Sequence, residues 1–133
     1  MKHFVIEQSD EEFYTSHSGL ALVGVALNRF TTLASALKVM DTSGDLIAGL
    51  DIIRSYCALL AQGKSDFAAI EQYRKDDFFR EALGNKSVPS EGTMRQRMDA
   101  CAERILAAVS WAAIEFLEKT KVPATALTTG HVP

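Results

Sequence analysis

A basic excess is the first thing this sequence lacks: the formal net charge is −3. Long-range attraction to nucleic acid is therefore not built into the chain as a whole. Any such contact must rest on a local basic surface. Cysteine is scarce too, with only Cys57 and Cys101 and no C-x-x-C spacing. That argues against a disulfide scaffold and for two reduced core thiols in a cytosolic protein. The histidines His3, His17 and His131 have no partner at ligand spacing, so they are expected to be surface or terminal residues. There is no Gly-rich phosphate loop and no nucleophile elbow. The longest apolar run, residues 20–27, is far too short to cross a bilayer. The first ten residues are too polar for a signal peptide. What is present is a chain of 133 residues with an ordinary globular apolar fraction, enough for one domain with a real core.

The pattern along the chain is mainly α, a bundle of about five to six helices. Phe4, Val5 and Ile6 form a short β-prone run, which predicts an N-terminal strand without an obvious partner. Residues 20–30 are apolar almost all round and should be a buried helix. A second helical segment covers residues 32–39, and Asp41, Thr42, Ser43 and Gly44 end it as a turn. Residues 45–61 are the expected central core helix. Its stripe runs Leu46, Leu50, Ile53, Cys57 and Leu60, with Gly63 as a C-terminal cap. Asp41, Asp45 and Asp51 surround that helix start, where carboxylates meet the positive end of the macrodipole. Short helices follow from Ser65 and from Asp76, the latter ended by Gly84 and Asn85. Asp76 and Asp77 have the same first-turn explanation rather than a catalytic one.

A polar turn with Pro89 then leads into a last helix from Ser90 to about residue 119. Ser90 is the expected N-cap. Met94, Met98, Cys101, Ile105, Val109, Ala112 and Phe116 share one side at spacings of three and four. Trp111 points about 150° from the centre of that stripe. It shares a line at spacing seven with Arg97, Arg104 and Glu118, which suggests a second contact surface. The alternative is an indole folded over a neighbouring helix. From Val122 on, the chain is an extended, β-tolerant tail.

The helices starting near Ser65, Asp76 and Ser90 suggest a helix-turn-helix-like group, although the turn before the last is longer than the standard motif's. Between residues 86 and 97, Lys86, Arg95 and Arg97 stand against Glu91, a local net charge of +2. Arg reads guanine edges, Gln reads adenine, and Lys and Thr suit phosphate. The candidate DNA contacts are therefore Lys86, Ser90, Thr93, Arg95, Gln96 and Arg97. Lys64, Arg74, Lys75 and Arg104 are candidate phosphate contacts. An ordinary solvated helix start has the same composition.

The wording of the chain adds to its periodicity. The run LLAQGKSDFAAIEQYRKDDFFREALGNKSVPSEGTMRQRMD, residues 59–99, resembles the N-terminal region of bacterial insertion-sequence transposases of the DDE class. HSGLALVGVALNRF, residues 17–30, is similar to that family's opening. The most specific parts are Gln62 to Phe67 and the Val88, Pro89, Ser90 element. The resemblance implies a helical domain that binds the element's terminal inverted repeats. It also implies a following RNase H-like domain, in which two Asp and one Glu hold two divalent ions, Mg, for phosphoryl transfer. None of the aspartates here matches a family catalytic position. No catalytic residue, metal ligand or cofactor is therefore assigned to this chain, and it is expected to be a non-enzymatic fragment.

The expected organisation is an N-terminal strand or arm at 1–16, a helical DNA-recognition domain at 17–120, and a linker at 121–133 leading to an absent catalytic domain. Trp111 is a candidate contact with that domain. The expected partners are double-stranded DNA and a second copy, with no membrane, in the bacterial cytoplasm. A rival reading is a helical dimerisation or protein-interaction module without DNA contact. A self-contained metal-dependent nuclease lacks an acidic triad and is the weakest reading.

Overall fold

The computed structural model describes residues 8–10 and 14–121. The expected strand at 4–6, the tail from 122 on, His3 and His131 lie outside them. The described residues are mainly helical and contain no strand. Six α-helices follow in order: α1 (Leu20–Arg29), α2 (Leu33–Ala36), α3 (Gly49–Ala61), α4 (Asp77–Leu83), α5 (Glu91–Ala100) and α6 (Ala102–Lys119). Two 3-10 segments, Leu37–Met40 and Phe67–Tyr73, lie between them.

The helix starts follow side-chain chemistry. Asp66 accepts from Ala68 N–H at 3.0 Å, Asp76 from Phe79 N–H at 3.0 Å, and Ser90 from Thr93 N–H at 3.2 Å. Gly63 (φ +75°) and Gly84 (φ +72°) adopt the left-handed conformation just past α3 and α4. There the next residue's N–H reaches back over the last turn, Lys64 to Leu59 O and Asn85 to Arg80 O.

The central helix is α3, which separates two cores. Its Ile52 and Leu59 join Leu20, Ile70, Phe79, Leu83 and Met94 in the first core. Its Ile53 joins Leu33, Leu37, Met40, Ile105, Ala108 and Ala112 in the second. Three sequence expectations need correction. First, α3 begins at Gly49 rather than Asp45, and Leu46 is 99 % exposed, outside the stripe expected for it. The cause is local: Asp45 accepts from Thr42 N–H and its hydroxyl, closing a turn, while Asp41 accepts from Gly49 N–H at 2.6 Å and so caps α3. Second, α1 is buried only at Leu20 and Gly24, and Leu22 is exposed. Its apolar circumference does not mean burial all round. Third, the last helix is not continuous. Cys101 (φ −121°, ψ +18°) breaks it into α5 and α6. Met94 thereby serves the first core, Ile105, Ala108 and Ala112 the second, and Met98 packs against both.

Candidate nucleic-acid interface

The turn before α5 is anchored by a buried polar network. Asp51 of α3 is buried, and its Oδ2 accepts from the backbone N–H of Lys86 at 3.0 Å and of Ser87 at 3.2 Å. Arg54, one turn on, lies 3.7 Å from Asp51 Oδ1 and donates to Gly84 O at 3.2 Å and to Asn28 Oδ1. Asn28 in turn donates to Leu83 O at 3.0 Å. Asn85 donates to Ser55 Oγ at 2.9 Å and to Asp51 O at 3.3 Å. Burial pulls the Arg54 guanidinium below its ordinary pKa, and Asp51 opposes that shift. The end of α4 and the turn are thus tied to α1 and α3 by groups that cannot lose a partner cheaply. Val88 and Pro89 are buried beneath the turn.

Helix α5 packs on the 3-10 segment Phe67–Tyr73, and Glu91 N–H donates to Glu71 Oε1 at 2.8 Å. Of the six candidate DNA contacts, Lys86, Arg95 and Gln96 stand exposed. Ser90 and Thr93 are part-buried, and their hydroxyls pair with each other at 2.9 Å within the cap. Arg95 meets Glu91 at 2.8 Å and lies over the Phe67 ring, 5.4 Å from its centroid.

The structure takes Arg97 away from the surface. Its side chain is only 14 % exposed. It donates to Ile47 O at 2.9 Å and Met40 O at 2.8 Å, and it meets Asp41 at 3.2 Å and Asp45 at 3.1 Å. This arginine closes the 40–48 loop onto α5 and is a structural residue. The local +2 charge of residues 86–97 therefore overstates what the surface presents. Asp99 is exposed on the same outward side.

The candidate phosphate contacts differ among themselves. Lys64 donates to Tyr73 Oη at 2.9 Å. Its contact with the Tyr73 ring, 5.1 Å to the centroid, is a consequence of that hydrogen bond rather than face-on stacking. Arg74 is half exposed, 3.6 Å from Glu71, and Lys75 is exposed. Arg104 is exposed in the first turn of α6. Trp111 is also on α6 and 59 % exposed.

One cluster escaped the sequence reading. His17, expected at the surface, is largely enclosed. Its ring packs edge-on to Tyr73 and tilted to Phe78, with Nε2 2.9 Å from Asp76 Oδ2. Ser16 Oγ is 3.4 Å from His17 Nδ1. That distance is at the long limit for a hydrogen bond and links chain neighbours, so it does not make an activated nucleophile. Nothing in local spacing joins residue 17 to residue 76, so no sequence signal was available. An apolar cavity of about 280 Å³ lies between α1, α3 and α6, lined among others by Leu27, Leu33, Cys57, Val109 and Phe116. Its one hydroxyl, on Thr31, is spent on Leu27 O at 2.5 Å, and burial raises the Cys57 thiol pKa, so the cavity offers no reactive group. Among the described residues, no three His, Cys, Asp or Glu side chains converge as a metal would require. No helix among them is long and apolar enough to cross a membrane.

No known protein family, curated protein or solved structure was found to match the chain.

Proposed function

We propose that this chain is a DNA-recognition domain of the insertion-sequence transposase type, with α5 as its reading element. The carrying observation is that Arg95 and Gln96 face outward on a helix immobilised at both ends. Asp51 holds the turn before it, and Arg97 ties its last turns to the 40–48 loop. Base reading needs side chains placed by a rigid element, because a contact that must first be ordered loses much of its energy. Arg95 is engaged with Glu91, but an exposed pair of this kind is worth at most about 1 kcal/mol. Exchanging Glu91 for a guanine edge or a phosphate is therefore inexpensive. Lys86 from the turn, and Arg74 and Lys75 at the end of the 3-10 segment beneath α5, complete the contact set with phosphates. In this reading the target is the element's terminal repeats in the bacterial cytoplasm. Metal-dependent strand transfer belongs to a separate catalytic domain. The weak local charge implies few phosphate contacts and a shallow salt dependence.

The test is fluorescence anisotropy of the chain with a terminal-repeat duplex and with a scrambled duplex, across a salt series. The repeat is expected to bind more tightly. Arg95→Ala with Gln96→Ala should remove that preference, since each base-reading pair is worth roughly 1–3 kcal/mol. Equal binding to both duplexes, unaffected by the double substitution, sinks the reading.

A further inference from the structure

Both arginines of the proposed contact face, Arg74 and Arg95, are already met by a carboxylate of the chain itself. Arg95 donates to Glu91 Oε1 at 2.8 Å, one turn back on α5. Arg74 lies 3.6 Å from Glu71 Oε2, an ion pair rather than a hydrogen bond. The other oxygen of Glu71 accepts from Glu91 N–H at 2.8 Å. One carboxylate is thus bound to the backbone at the start of α5, and the next holds the arginine that α5 presents. All four side chains are between 37 and 55 % exposed, so the pairs lie where a ligand would meet them.

A carboxylate offers a guanidinium the same fork of two oxygens as a phosphate does. A DNA phosphate that takes Arg74 or Arg95 must therefore displace a group of its own kind. The displaced carboxylate then stays beside the polyanion and repels it. Glu91 can turn away into solvent once Arg95 leaves it. Glu71 is less free to do so, because its Oε1 is tied to the α5 backbone. A guanine edge is different: its O6 and N7 accept from Arg95 without bringing a formal charge next to Glu91. The two carboxylates consequently oppose contacts to phosphate more than contacts to a base.

We propose that Glu71 and Glu91 are selectivity residues, which hold Arg74 and Arg95 and so weaken binding to DNA of arbitrary sequence. This role rests on α5 being the DNA-reading element, and it adds what restrains that element. Selectivity is a difference between two affinities, so weakening the wrong complex raises it as surely as strengthening the right one. The other role open to Glu71, capping the start of α5, needs an acceptor oxygen but no charge. Gln supplies that oxygen, so Glu71→Gln separates the two roles.

Fluorescence anisotropy with a labelled duplex of mixed sequence, across a salt series, tests this. Glu71→Gln and Glu91→Gln should each tighten binding roughly fivefold. Each freed arginine neutralises one more phosphate, so the slope of log K against log salt should steepen by about 0.9. The Glu91→Gln gain should vanish in an Arg95→Ala background, and the Glu71→Gln gain in an Arg74→Ala background. Glu118→Gln, near the end of the helix that serves the second core, makes the same change in net charge. It should shift the affinity by less than about twofold. Circular dichroism should show every variant folded, since none of these side chains is buried. A wild-type chain that ignores the mixed duplex while the Gln variants bind it also supports the role, because the carboxylates then suppress that contact fully. Equal gains from all three Gln variants would reduce the effect to net charge and overturn it. So does a terminal-repeat preference in the wild type with no gain on the mixed duplex from Glu71→Gln or Glu91→Gln, which leaves the DNA reading standing. Wild type and variants that all fail to bind either duplex overturn both.

Discussion

Two arginines two positions apart, Arg95 and Arg97, do opposite work. Arg95 is exposed and holds one carboxylate on its own helix. Arg97 is enclosed and satisfies two carbonyls and two carboxylates of a loop some fifty residues earlier. Arg97→Ala should therefore cost about 2–3 kcal/mol of stability, since it removes charge-assisted hydrogen bonds to part-buried loop carbonyls together with two ion pairs. Arg95→Ala should stay within about 1 kcal/mol. Urea unfolding midpoints of the two variants check this directly, and equal midpoints would contradict the assignment of Arg97 as a clamp. From spacing alone the two residues were indistinguishable members of one basic turn. Which guanidinium turns inward depends on the 40–48 loop, whose position follows from the packing of the second core.

Among elements, α1 and α4 approach each other closely at Gly24. A Cβ on Gly24 would sit 1.9 Å from Ala82 O, a backbone atom that cannot move without shifting α4. Gly24→Ala should destabilise the protein by about 3 kcal/mol, a large overpacking penalty, visible as a lowered thermal midpoint. A substitution to Ala usually stabilises a helix, so the sign of the change is diagnostic. A midpoint that rises would mean that the two helices are not in contact. The cap at Ser90 and the glycines that end α3 and α4, at 63 and 84, were legible, because each is a local arrangement of a residue and its own backbone. The start of α3 was not, since Gly49 is capped by Asp41 from eight residues back. Nor was the break at Cys101, which carries neither proline nor glycine.

Over the whole molecule, two loop-to-helix ties have a pH signature. Glu115 of α6 accepts from Thr32 N–H and its hydroxyl, both at 2.7 Å, and so fastens the start of α2 to the last helix. Those two bonds, the backbone one first, hold its pKa below the ordinary value of 4.5. The Thr42 N–H and hydroxyl, with Arg97 nearby, hold Asp45 below 3.8. A depressed folded-state pKa contributes stability that is complete above the ordinary value and is lost as pH falls through the lowered one. Wild-type stability should therefore decline in acid below pH 4.5. Glu115→Gln should decline less over the same range, because that contribution is already missing from it at neutral pH. Thermal melts of both proteins across a pH series test this. Parallel curves would remove Glu115 from the account.

The sequence by itself determined what is local and periodic: a mainly helical chain, the Ser90 cap and the turns, α3 as the central helix, and the inward side of Met94, Ile105 and Ala112. Each rests on residues within a turn or two of one another, where backbone geometry alone decides who meets whom. Only the tertiary structure decided which groups were left over. It sent Arg97 inward and left Arg95 and Gln96 outward, joined His17 to Asp76, and buried Asp51 under the turn it holds. Those outcomes depend on which of several equally apolar or equally charged faces finds a partner first, and such competition is settled by packing between distant segments.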